Sequence, residues 1–583
     1  MHVPGRLAGA VTVVLSFCAL RALAADGPFL ALRDIKPGMH GVGKTVFSGD
    51  RIEDFEVEIL GVLENIGPKQ SLIMGRLSGG PLERTGVMQG MSGSPVYVGG
   101  KLIGAVALGF PFSKDPIAGI RPIEEMVAVS ASPSDGLRAW RAPSEDLMAA
   151  LPSRQNMTGG MAEIATPISF GGFTQSTLEQ FGPRLRALGL EPRQGVGVGG
   201  RVENRMGDPA ALHPGSMISV ELMTGDLAVG ADGTVTYIAG ARVYAFGHRF
   251  LGVGPTGLPF TRSEVIALLP NLNSSFKISA PKELMGVISQ DRNTAVAGEL
   301  GRSAALVPVS IAMNRGGRNI ETYRVRMVND SYLSPILLQM AVFSAIDGRE
   351  RAAGEASLTV SGQIELENGP AVPIRNVYSG QGALALQASL AAAIPLAYIQ
   401  QAGFNGLRVK AVDLAIDATD KRRELQIEDV TLSQREAHPG DSVELVTRMT
   451  GEGGVQLSRS VRYQVPLGAG PGTLFFSVAD GPQTSLAELR SLYGANARTR
   501  EQLIAAVNRL RPNDKAYVRV WRSDSDFLIS GEDLPDPPPS ISMILAANAA
   551  NQQVKNSKVA ELVLDADGMM VTGAKTVQLE VRN

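Results

Sequence analysis

The chain of 583 residues has a single cysteine, Cys18, inside its N-terminal apolar stretch. The rest has no thiol, which excludes a disulfide framework and thiolate metal sites. Neither sign of charge is in excess. Lys and Arg number 55 against 57 Asp and Glu, a net of −2. That balance points to neither nucleic acid nor an anionic membrane surface. Histidine is scarce, with only His2, His40, His213, His248 and His438 available for imidazole chemistry. The apolar run from Leu7 to Leu20 is short for a membrane span. With Arg6 before it and Ala22-Leu23-Ala24 after it, the run reads as a signal peptide over 1–24. An uncleaved anchor is the alternative. Phe17 is not the small residue a lipid-anchored Cys18 would want. Export to the periplasm, cell envelope or exterior is expected, with no stable membrane span after cleavage.

Glycine (66) and proline (35) are plentiful, and 44% of residues are hydrophobic. That suits a turn-rich, globular, mostly β protein. The length calls for about three or four domains.

Gln89-Gly90-Met91-Ser92-Gly93-Ser94-Pro95 reads like the nucleophile loop of a chymotrypsin-type serine peptidase. Attack on an amide carbonyl creates an oxyanion that needs two convergent N–H donors. Here those would be Gly90 and Ser92. Gly90 and Gly93 permit close backbone approach, and Pro95 directs the chain onward. Val96 to Val98, Gly99-Gly100 and Lys101 to Ala107 form a hairpin signal. A Gly/Ser turn without chemistry is the plain alternative.

Residues 85–126 resemble the nucleophile region of the stage IV sporulation protein B serine peptidase family. The matching pieces are Gly90 to Pro95, Gly100 to Val106, Asp115-Pro116 and Ile123-Glu124. Residues 233–257 resemble the family's histidine region, which places His248 on the catalytic histidine; 286–301 resemble the strand pair that follows. The alternation of Val235, Tyr237, Val243 and Ala245 agrees with a hairpin ending at that histidine. The resemblance implies limited proteolysis of a protein or peptide substrate by a Ser92–His248 site.

Two departures stand out. The family's histidine half precedes its serine half, whereas here Ser92 comes first. Chain order is free because geometry defines a triad. The family also carries an aspartate about fifteen residues before the serine, and this chain has no Asp or Glu between Glu64 and Glu83. Asp115, Asp291 and Glu83 are possible substitutes. A dyad, or a domain without turnover, is also possible.

The expected fold is mostly β: a two-part trypsin-like β-barrel module, then a β-sandwich-like C-terminal region with a few helices. Expected units are a serine-bearing half (26–132), a connector (133–194), a histidine-bearing half (195–328), a mixed β region (329–420) and the C-terminal region (421–583). Ser176 to Glu179 reads as a capping box in the connector. Gly195 to Gly200 reads as a loop or strand entry. Helices are expected near Ser485 to Leu492 and Thr499 to Leu510, and a stiff break at Leu534 to Pro539. Neither a cofactor nor a metal is expected. The competing function is a cell-envelope binding or scaffold protein that keeps the barrels without turnover.

Overall fold

The computed structural model describes residues 27–110, 113–129, 146–153, 160–195, 203–349, 355–404, 407–492, 499–522, 526–529, 532–534, 539–547, 552–554 and 557–583. The signal segment, most of the glycine run after Gly195 and most of the proline break lie outside these residues.

Alternation builds the first barrel. Its strands are β1 (His40–Ser48), β2 (Arg51–Gly67), β3 (Gln70–Ser78), β4 (Pro95–Val98), β5 (Lys101–Gly109) and β6 (Ile117–Pro122). In β2, Phe55, Val57 and Ile59 turn inward while Glu56 and Asp54 face water. Antiparallel pairing runs β4-β1-β2-β3-β6-β5, and β4–β5 pairing closes the ring. Leu77, Ile103 and Ile120 help fill it. Each such large aliphatic side chain contributes roughly 1.5–3 kcal/mol on burial. The turn between β4 and β5 is the Gly99-Gly100 pair, with φ of +57° and +79°.

A second ring follows. Its strands are β7 (Met217–Gly225), β8 (Ala228–Ala239), β9 (Arg242–Ala245), β10 (Gly254–Leu269), β11 (Phe276–Arg292) and β12 (Ala295–Leu300). They pair antiparallel in the order β7-β10-β11-β12-β9-β8, and β7–β8 pairing closes this ring as well. The expected two-barrel module is therefore present. The long β10–β11 hairpin reaches the first barrel: Gly49 and Val265 exchange backbone hydrogen bonds of 2.8 and 2.7 Å. Val46, Met217 and Val265 pack there. A second seam joins Leu102, Ala105, Ile123 and Met126 to Tyr244, Ala295 and Ala297.

The connector contributes the helix Gln175–Ala187. Its N-cap is Thr174, not Ser176 as the capping-box pattern predicts. The Thr174 hydroxyl plays the N-cap role two residues earlier, accepting from the N–H of Thr177, the N3 residue, at 3.4 Å. Ser176 and Thr177 fall inside the first turn. The mixed β region also holds two buried helices, Leu333–Asp347 and Leu384–Gln401, that strand alternation did not reveal. The C-terminal region places a four-stranded and a five-stranded sheet around one core that includes Ile427, Leu445, Phe476 and Val518. The helices Gly481–Leu492 and Arg500–Asn508 are where the pattern put them. Among the described residues no helix is long and apolar enough to cross a membrane.

Candidate active site

The serine loop is docked on the second ring. Thr234 of β8 donates its N–H to the Ser92 carbonyl at 2.9 Å, and its hydroxyl to the Gly90 carbonyl at 2.9 Å. Thr236 donates to the Gly93 carbonyl at 2.7 Å. Gly93 lies so close that a Cβ there would stand 2.0 Å from the Thr234 oxygen and 2.6 Å from the Phe246 nitrogen. Both loop glycines have positive φ, +90° at Gly90 and +95° at Gly93, which only glycine takes readily. The Gly93 and Ser94 amides donate to Val106 and Met91, and the Met91 amide to Met88. Among the described residues the Gly90 and Ser92 amides have no backbone acceptor.

His248 ends the turn after β9. Phe246, two residues earlier, has φ +70°. A bulky residue in that region stores strain, and such strain gathers at functional sites. The Phe246 ring fills the space that a Cβ on Gly233 would take. Gly247 is pinned against Ala105 and Ala107 of β5, and its carbonyl accepts from Arg121 Nε at 3.4 Å. The Phe246-Gly247 turn thus touches both Gly93 and β5. His248 follows this turn directly, and no hydrogen bond joins its ring to the Ser92 hydroxyl.

Ser92 is 0% exposed and His248 2%. The Ser92 hydroxyl has no hydrogen-bond partner among the described residues. A buried hydroxyl left unsatisfied costs about 1–3 kcal/mol. His248 Nδ1 lies 2.7 Å from the Arg249 carbonyl oxygen. A ring N–H donated there puts the lone pair on Nε2.

The candidate acids are placed differently. Asp115 and Glu83 are exposed. Asp291 is buried, and its carboxylate accepts four backbone N–H groups: Phe250 at 2.8 Å, Leu251 at 2.8 Å, Gly252 at 2.7 Å and Val253 at 3.3 Å. Burial pushes its pKa up, and the four N–H groups pull the other way. It therefore anchors the segment directly after Arg249, whose carbonyl meets the imidazole.

Three buried charges escaped the sequence reading. Lys277 donates to the Thr45 hydroxyl at 2.7 Å, and Ser94 donates to the same oxygen at 3.0 Å. Burial pushes the Lys277 ammonium down to about 7, against the pull of Asp232. Burial likewise raises Glu221 to about 8 and Asp232 to about 6. Their signal was a charge within each of three apolar strand patterns. Among the described residues no group of His, Cys, Asp and Glu could hold a metal ion.

Two closed six-stranded antiparallel barrels, with a Gly-Met-Ser-Gly-Ser-Pro loop between them, make a two-barrel module of the expected fold. Residues 28–127 match the family described as SpoIVB peptidase S55, so the resemblance read from the serine loop holds. The match supports a serine peptidase of the SpoIVB type. It covers the first barrel with Ser92 and ends before the second ring. No curated protein and no solved structure matches the chain.

Proposed function

We propose that this protein is an exported serine endopeptidase that performs limited proteolysis with Ser92 as nucleophile and His248 as general base. The observation that carries it is the docking of the family-matched serine loop on β8, beside the turn that bears the histidine. A serine hydroxyl is a weak nucleophile until a base takes its proton. Nε2 is the acceptor when Nδ1–H is donated to the Arg249 carbonyl. The Gly90 and Ser92 amides would receive the oxyanion. The carbonyl supplies the orientation that an acid gives in a triad, and Asp291 holds the carbonyl's segment in place.

Ser92 is wholly buried, so turnover requires an opening that exposes it. That observation favours the second reading, a cell-envelope scaffold that keeps the fold without catalysis. A fluorophosphonate probe separates the two. The peptidase reading expects labelling that Ser92→Ala abolishes, that His248→Ala lowers by several orders of magnitude, and that Ser94→Ala retains. Absence of labelling, with the cellular phenotype intact in Ser92→Ala, leaves the scaffold.

A further inference from the structure

Beside the serine loop lies a cleft of about 500 Å³. Its floor is the face of β7 and β8 that carries Glu221 and Asp232. Its walls are two strand edges. One is Leu190–Gln194, whose only strand partner among the described residues is Thr166–Gly171. The other is the start of β11, residues 276–281, which pairs with β10 on one side. On its other side Gln89 bridges Phe276 and accepts the Lys277 N–H at 3.2 Å. From Ile278 to Pro281 no further backbone partner lies on that side among the described residues. Arg193 ties the walls together at the Gln89 end. Its guanidinium lies 3.3 Å over the Phe276 ring and donates to Gln89 Oε1 at 2.9 Å.

Free N–H and C=O groups along a strand edge are a template for one more strand; here the donors end before Pro281, which has no N–H. The edge begins at Gln89, three residues before Ser92, so a chain laid on it starts beside the serine loop. The floor is short of positive charge. Glu221 and Asp232 are both buried, and among the described residues Lys277 is the one buried cation near them, with Arg186 and Arg193 on the cleft wall. Glu221 accepts from Thr261 at 3.1 Å and Asp232 from Ser279 at 2.5 Å. Neither makes an ion pair among the described residues. Gly230 keeps the space open, since a Cβ there would stand 3.2 Å from Glu221 Oε2.

We propose that this cleft binds a polypeptide segment in extended form, paired with the Ile278–Pro281 edge and placing a lysine or arginine side chain against Glu221 and Asp232. The occupant rests on the peptidase reading, because it is the substrate chain on its way to Ser92. Burial holds both carboxyls above their ordinary range, with Lys277 pulling Asp232 the other way. A bound ammonium or guanidinium lowers them again, so binding releases protons and tightens as pH rises from about 6 to about 8.

The test uses the full chain carrying Ser92→Ala, so that binding is read without cleavage. Short fluorescent peptides with a central lysine, norleucine or glutamate are compared by anisotropy. The lysine peptide is expected to bind about tenfold tighter than the norleucine peptide or better, a difference of about 1.4 kcal/mol. Glu221→Gln should erase most of that gap, and N-methylation of alternate peptide amides should weaken binding. A melting curve confirms that Glu221→Gln is folded, and Asp232→Asn serves in its place if it is not. Equal affinity for lysine and norleucine, indifference to N-methylation, or no binding by any peptide overturns the proposal. The two readings fail separately. Lysine-dependent binding on a chain whose serine never labels keeps the cleft and removes the enzyme. A reactive serine without lysine dependence does the reverse.

Discussion

Asp291 is the residue whose role changes most between sequence and structure. Read along the chain it is one of several carboxylates that could face the histidine. In the fold it accepts four N–H groups from residues 250–253. On the proposed mechanism it would be a positioning residue acting through the Arg249 carbonyl. Asn in its place keeps the size but offers an NH2 where backbone donors converge. Asp291→Asn is expected to loosen the Arg249 carbonyl and mix the His248 tautomers. Nitrogen-15 NMR of labelled histidine reads this directly, as a single Nδ1–H form in the parent and a mixture in the variant. An unchanged tautomer in a folded variant refutes the role. Glu221 makes a different prediction. Its pKa is about 8 in the folded chain against an ordinary 4.5. Between those values the folded state holds more protons than the unfolded one, so its contribution to stability is lost as pH rises through that window. Glu221→Gln removes this loss. The variant's melting temperature should gain on the parent steadily from about pH 5 to about pH 8, and a constant difference would count against the buried, uncompensated carboxyl.

Elements were legible wherever one face is apolar and turns are marked by glycine. The β4–β5 hairpin follows from Val96 to Val98, Gly99-Gly100 and the run after Lys101. The hairpin before His248 follows from Val235, Tyr237, Val243 and Ala245. The helix Leu333–Asp347 was not legible because it is buried all round, which leaves no 3.6-residue stripe to find. The β11 start departs from simple alternation for a related reason. Period-two reading puts Phe276 and Ile278 inside and Lys277 outside, yet Lys277 is 2% exposed because the serine loop and β1 cover that face. Docking of one element on another is what a single sequence hides, and Gly93 shows how tight that docking is. Gly93→Ala would drive a methyl into the Thr234 carbonyl and the Phe246 nitrogen, both backbone atoms that cannot turn aside. Overpacking of this kind costs about 1–3 kcal/mol or more. The expected outcome is a lowered melting temperature together with loss of any Ser92 labelling. By contrast, Gly99→Ala, in an open turn with nothing within 4 Å, should keep labelling and lose stability only through its positive φ. Equal labelling by both variants would mean the loop is not held by β8.

At the scale of the whole molecule the first barrel keeps a core of its own, and the two larger cores are joined by a clamp. The larger one runs from the second ring through the two buried helices, and the smaller fills the C-terminal sandwich. Sequence patterning separates them, since strands cluster on either side of residue 421, but it gives no sign of how they are joined. The joint is made by a helix and a loop from within the sandwich. Leu503, Ile504 and Val507 of the helix Arg500–Asn508 are buried in the larger core. Asn513 then pairs with the backbone of Val377 in both directions, accepting its N–H at 2.6 Å and donating to its carbonyl at 2.6 Å. Arg375 and Asp514 close the same contact at 2.6 Å. Val377 is fully buried, so removing the Asn513 side chain leaves a buried N–H and a buried C=O unsatisfied, about 1–3 kcal/mol each. Ile504→Ala adds the loss of a core side chain, about 2–5 kcal/mol. The Asn513 term acts on the joint alone, while the Ile504 term also removes a contact from the larger core. Calorimetry of the parent should therefore show one cooperative unfolding transition, because the clamp makes the two units melt together. The Asn513→Ala, Ile504→Ala double variant should show two, with the sandwich and the barrels unfolding apart. A double variant that still melts in a single, merely lower transition would mean that the cores are coupled by something other than this contact.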